Sequence, residues 1–176
     1  MMKRRHALAA LAATATTLAR GQETTARQIR LVAPQPAGTG PDVLARTLAE
    51  EMSKILGQSV VVENKTGANG TLAAGYVLAQ PADGHTLFLA GVSNMAWNPF
   101  LYKAMTHVPS RDFAGVAVIA NTPFVTAVAP SLGVKSLADL VKKAKAEPGK
   151  LSFASSGIGN STHLATELLM ARTGIQ

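Results

Sequence analysis

The chain has 176 residues, no cysteine and a formal net charge of +7. Without cysteine, a disulfide scaffold and a thiolate metal site are both excluded. Lys3, Arg4, Arg5 and Arg20 precede the first acid, and without residues 1–21 the charge falls to +3, which excludes the basic profile of a nucleic-acid-binding protein.

The first predicted element is that N-terminal stretch. A basic start (Lys3, Arg4, Arg5, His6), an Ala/Leu/Thr run over 7–19 and the small residues Ala19 and Gly21 form the pattern of a secretory signal peptide over 1–21. Its apolar run falls short of the roughly 20 residues a membrane span requires. The mature chain is therefore expected to be exported and not inserted in the membrane. The pair Arg4-Arg5 leaves both the general secretory and the twin-arginine routes open.

Residues 29–33 read as a buried strand. Leu44, Leu48, Met52 and Ile55 then recur at helical spacing, which predicts a helix over 41–56 closed by Gly57. The β-branched run Val60, Val61, Val62 predicts a strand covered on both faces, and a short helix ending near Gln80 follows. After a turn at 81–84, residues 86–90 give a third strand. Strand and helix alternate, which predicts parallel strands joined by crossovers. Residues 91–111 are irregular, with a short helix around 96–102 in which Trp97 and Phe100 read as core residues. Strands are predicted over 116–120, 124–129 and 151–154, a helix opened by Ser136 and ended at 147–150, and a last helix over 162–173. Lys142, Lys143 and Lys145, with Glu147 beside them, form a solvated helix face.

Three turns share one design, each lying between a strand-like run and a helix. They are residues 34–42, 63–70 and 155–163. The first amides of a helix lack intrahelical partners, and the dipole adds about half a positive charge there, so such turns suit a carboxylate or phosphate. Asp42 opens the first helix and reads as a carboxylate favoured by the helix dipole, or alternatively as an organiser of the loop or a partner for a ligand amine. Ser93 and Asn94 follow the third strand at its carboxyl edge, where open α/β sheets bind ligands. Asn69 and Gly70 read as fold residues of the second turn. Among enzyme patterns, the first turn lacks the third glycine of a dinucleotide fingerprint, no turn has a P-loop lysine, and no Gly-x-Ser-x-Gly elbow occurs. His6, His85, His107 and His163 are too scattered for a local metal motif. No catalytic residue, metal or cofactor is expected.

In their order and spacing these blocks resemble the Bug-type extracytoplasmic solute receptors of tripartite tricarboxylate transporters. The resemblance is carried by Pro41-Asp42-Val43-Leu44-Ala45-Arg46, Val62-Glu63-Asn64-Lys65 through Gly70, Pro81-Ala82-Asp83-Gly84-His85-Thr86-Leu87, Asn98-Pro99-Phe100-Leu101-Tyr102, Arg111-Asp112-Phe113, Val134-Lys135-Ser136-Leu137, Pro148-Gly149-Lys150-Leu151 and residues 155–164. It implies a two-lobed α/β periplasmic-binding-protein-like fold of type II kind with parallel-sheet βα units in each lobe. The lobes would comprise 22–105, the N-terminal part of lobe 1, and 106–176, an incomplete start of lobe 2. The implied function is periplasmic binding of a small carboxylate for delivery to membrane transporter subunits.

The ligand would be gripped by Ala37, Gly38, Thr39, Gly40 and Asp42 of the first turn. Ser93 and Asn94, with Ser155, Ser156, Gly157, Ser161, Thr162 and His163, complete the expected set. This chain departs from the family pattern at Thr39, where a second glycine is usual, at Gln35 in place of an aromatic residue and at Thr66 in place of proline. The implied family chain is much longer. The alternatives are therefore a truncated receptor that cannot close on a ligand and a small α/β enzyme acting on an anion.

Overall fold

The computed structural model describes residues 27–103 and 105–176. The signal peptide expected over 1–21 lies outside the described residues. The first strand, β1 (Ile29–Ala33), leads through the 34–39 turn into α1 (Gly40–Leu56), then β2 (Val60–Asn64). A tight turn at Ala68–Gly70 opens α2 (Thr71–Leu78), which is followed by β3 (Thr86–Phe88). These strands form a parallel sheet in the order β2-β1-β3. Ile29 faces Val60 and Ala33 faces Asn64 across one pairing, while Leu31 faces Leu87 across the other. The alternating strand and helix of the sequence thus builds an α/β unit with a parallel sheet.

Central β1 is the most enclosed element, with Val32 and Ala33 fully inaccessible. The helix face that meets the sheet is narrower than the leucine spacing implies. Ala45 and Ala49 are buried while Ile55 is 81% exposed. Alanine lets the helix backbone approach the strands closely, and the larger side chains are left at the flanks of that contact. Tyr76 of α2 ties its helix to the sheet: its hydroxyl donates to Glu63 (3.0 Å) and accepts from Arg30 (3.0 Å), and Lys65 sits 4.4 Å from its ring centre.

Beyond β3 the chain forms a π-helical turn at Ser93–Trp97, which runs into α3 (Asn98–Leu101), and then α4 (Pro109–Asp112). Trp97 is half-buried, but Phe100 is 89% exposed, contrary to its reading as a core residue. Next come α5 (Leu137–Ala146) and α6 (Ser161–Thr173). Ser136 caps α5 as the sequence indicates, accepting the Asp139 N–H at 3.1 Å.

The strands expected over 116–120, 124–129 and 151–154 do not form. Val116, Val118 and Val125 are each more than four-fifths exposed. A strand exists by handing its N–H and C=O groups to a neighbour, and no described segment pairs with these three. Phe124, Val128, Leu140, Phe153, Leu169 and Met170 instead surround an open cleft of about 810 Å³.

Candidate functional site

The first turn is organised from within by Asp42. Its side chain is almost wholly buried (2% exposed). The carboxylate accepts from the Gly38 N–H (2.8 Å), from Arg46 Nε and Nη2 (3.0 and 3.1 Å) and from Asn64 Nδ2 (2.8 Å). The hydrogen bonds from Arg46, then from Gly38 and Asn64, hold its pKa down at about 2. Asn64 extends the lattice by donating to the Gln35 carbonyl at 3.0 Å and accepting from Arg46 at 3.2 Å. Asp42 is therefore the loop organiser, and its helix-dipole role is secondary.

This arrangement decides which N–H groups of the turn stay unengaged. The Gly38 N–H, in a left-handed backbone (φ 82°) that glycine adopts freely, points at Asp42. The Thr39 hydroxyl and N–H both turn back to the Pro36 carbonyl, at 2.8 and 3.4 Å. No hydrogen bond among the described residues engages the N–H groups of Ala37, Gly40 or Asp42. Gly40 and Asp42 stand at the N-terminus of a seventeen-residue helix with Pro41 between them. With the Ala37 amide they are the donors the turn keeps unengaged.

Ser93 and Asn94 are both buried. The Ser93 carbonyl accepts the Asn98 N–H. Asn94 accepts from the Gly91 N–H at 3.1 Å and donates to the Asn69 carbonyl at 2.7 Å, so its amide is committed to the fold. Asn98, 1% exposed, donates to the same carbonyl at 2.9 Å. A Cβ added at Gly70 would lie 2.2 Å from Asn94 Nδ2 and 3.0 Å from Pro34 Cβ, so only glycine fits where the second turn meets the end of β1.

The third turn is likewise partly self-satisfied. Asn160 caps α6, its Oδ1 accepting from the Thr162 N–H at 3.3 Å and the Ser161 hydroxyl at 3.1 Å. The Ser156 N–H donates to the Thr162 hydroxyl at 3.0 Å, and the Gly157 N–H to Ser155 Oγ at 3.3 Å. His163 Nδ1 accepts the Gly159 N–H at 3.4 Å, which fits the tautomer carrying its proton on Nε2, toward Glu167. The N–H groups of Ser161 and His163 have no hydrogen-bond partner among the described residues.

Asn69 is the fold residue the sequence indicates, but sequence reasoning missed the other side chains that assemble these turns: Arg46, Asn64, Asn98 and Asn160. Asn94 and Asn98, four residues apart in a helical segment, were the visible signal, since two amides on one helix face need a common partner when buried. The 810 Å³ cleft is apolar and includes only Thr162 of the expected ligand set. A second hollow of about 740 Å³, between α2 and the segment after α3, includes none of it. Among the described residues no group of three or more acidic, His or Cys side chains is placed to hold a metal ion. No described helix is long and apolar enough to cross a membrane.

The profile of the tripartite tricarboxylate transporter family receptor matches residues 44–176. The chain belongs to that receptor family. A Pseudomonas sp. (strain P51) protein of the tcbD-tcbE intergenic region is 38% identical over 98% of this chain and 52% of its own length. Protein BugT of Bordetella pertussis is 37% identical over 85% of this chain and 46% of its own. This family member thus spans about half the length of the curated relatives it matches. Among solved structures, Rpa4515 of R. palustris with adipate is 40% identical with a TM-score of 0.81, covering 86% of this chain and 50% of that one. MatC of Rhodopseudomonas palustris with bound malate is 27% identical with a TM-score of 0.71, covering 86% of this chain and 51% of that one. The chain shares its fold with about half of each of these two solved structures.

Proposed function

We propose that this chain is the ligand-gripping half of a periplasmic receptor for a small organic acid, which it delivers to a tripartite tricarboxylate-type transporter. In this reading residues 1–21 are the signal peptide, 22–105 belong to one lobe and 106–176 open the second. One carboxylate rests on the Gly40 and Asp42 amides at the start of α1, and the turn before α6 contributes the Ser161 and His163 amides with the Ser156, Ser161 and Thr162 hydroxyls. Gly38 and the Asp42 side chain hold the loop in shape and do not touch the ligand. The carrying observation is that both helix N-termini keep unengaged N–H groups after every internal hydrogen bond of their turns is counted. Dicarboxylates of adipate or malate size are the favoured class, because relatives of the same fold were solved with them.

Gly40→Pro tests this directly. Proline is tolerated at the first helical position, and Thr39 before it is already extended (φ −77°, ψ 161°), so the substitution deletes one N–H, and an unchanged melting temperature checks that the loop accepts a second proline ahead of Pro41. Adipate affinity, measured by calorimetry, is expected to fall by about ten- to a hundredfold, the range for losing a hydrogen bond to a charged group. An unchanged affinity would remove Gly40 from the site. A second reading, a fragment that binds only when more of a receptor covers its 810 Å³ apolar cleft, is favoured by that cleft. It predicts no adipate-induced rise in melting temperature for this chain, and a clear rise would dismiss it.

A further inference from the structure

Four consecutive residues of the second turn have left-handed backbones: Gly67 (φ 126°), Ala68 (φ 46°), Asn69 (φ 50°) and Gly70 (φ 85°). Two of them carry side chains, for which this region is unfavourable, so the surrounding structure must hold the segment in place. Asn69 is where it is held. Its carbonyl accepts from Asn94 and Asn98, at 2.7 and 2.9 Å. Its Nδ2 donates to Asn98 Oδ1 (2.8 Å) and to the Gly159 carbonyl (2.9 Å), and its Oδ1 accepts from Asn160 Nδ2 at 3.3 Å.

The last two bonds join residues ninety and ninety-one positions apart in the sequence. They reach the turn that opens α6. The other bonds reach the segment after β3, and the neighbouring Gly70 packs on Pro34 at the end of β1. One side chain is thus bonded to two of the places where the turns meet, and its neighbour touches the third. Gly159 is close-packed on this side, since a Cβ there would lie 3.3 Å from Leu101 and 3.5 Å from the Tyr102 hydroxyl.

We propose that Asn69 is the positioning residue of the ligand site, fixing the turn before α6 against the β1–α1 turn so that their free amides face one solute. The proposal rests on the carboxylate-receptor reading above. Asparagine suits the post for two reasons. It tolerates the left-handed backbone better than other side chains, and its amide offers donors and an acceptor on one planar group. Aspartate would place an acceptor against Asn98 Oδ1 and the Gly159 carbonyl, and alanine would offer neither donor nor acceptor.

The test compares the full chain with Asn69→Gly and Asn160→Ser. Asn69→Gly keeps the backbone conformation and the carbonyl held by Asn94 and Asn98, and removes only the side-chain bridge. Asn160→Ser keeps a good helix cap for the Thr162 N–H and removes the donor to Asn69 Oδ1, together with the carboxamide acceptor of the Ser161 hydroxyl. Amide hydrogen exchange over 157–163 is expected to quicken about tenfold in Asn69→Gly and about threefold in Asn160→Ser, with β1 and β2 unchanged. Adipate affinity is expected to fall by about the same factors. Unchanged exchange over 157–163 in both variants overturns the proposal, as does faster exchange with full adipate affinity. Should Asn69→Gly fail to fold, Asn160→Ser decides by the same criteria. A wild-type chain that binds neither adipate nor malate overturns binding by this chain alone instead, and the exchange data then decide for or against Asn69 on their own.

Discussion

Leaving prolines aside, nine of the ten buried apolar side chains lie between Ile29 and Ala74, and the described residues after them add only Ala144. Both regions are rich in the residues that form strands. Val60, Val61 and Val62 form β2 because β1 lies alongside in register and takes their backbone groups. Val116, Val118 and Val125 belong to runs of similar composition but have no such neighbour, and they stay open to solvent. Side-chain type makes a strand possible, and pairing makes it real. The first region carries its own core, while residues 124–176 place two helices and loops around a largely apolar cleft.

The largest expected effect is at the buried centre of the first region. Asp42→Asn keeps the shape of the side chain but faces Arg46 and Asn64 with a weaker acceptor and one more donor, and is expected to lower the melting temperature more than any other substitution described here. The same residue sets an acid limit. Because its folded pKa is about 2 against 3.8 for an unperturbed aspartate, its contribution is complete above about pH 4 and is lost as the pH falls toward 2. Asp112, held to about 2 chiefly by Arg111, acts in the same window. Acid unfolding followed by circular dichroism is expected to be shallower in Asp42→Asn, with the Asp112 contribution remaining.

Val32→Ala and Val118→Ala sharpen the contrast with one substitution in two settings. The first empties a fully enclosed position and is expected to cost about 2 kcal/mol, whereas the second is expected to fall within about 0.5 kcal/mol of wild type. Urea titrations of the two variants measure the difference. A comparable loss at Val118 would mean that the later segment is packed in solution.

Gly70→Ala is expected to cost at least about 1–2 kcal/mol from the left-handed backbone alone, plus the displacement of Asn94. Ser136→Ala should cost about 1 kcal/mol by removing a helix cap. Its effect is expected to be confined to faster amide exchange in α5, with the sheet unaffected. Spread of that effect into β1 and β2 would show the two regions to be one cooperative unit.

The order of the elements through β3, the parallel sheet and the capping of α5 by Ser136 were legible because each rests on local pattern: alternating periodicities, a β-branched run, a serine before an apolar stripe. The buried face of α1 was less so. Periodicity favoured the large side chains, and close packing on the sheet selected Ala45 and Ala49. In the site, the turns were legible as helix starts, but their internal bonding was not. Whether the Gly38 N–H serves a ligand or Asp42 depends on Arg46 and Asn64, and Asn64 lies on a different strand. Asn69 was read as a fold residue, and nothing local to the second turn reveals that its side chain reaches Gly159.

The chain contains a single tryptophan. Trp97 is half-buried at the end of the π-helical turn, directly before Asn98, which bonds to Asn69. Its emission therefore originates beside the junction of the turns, uncontaminated by any other indole. The protein carries its own optical probe beside Asn98 and Asn69, and any rearrangement of that junction can be followed in unlabelled material on the millisecond scale of stopped-flow mixing.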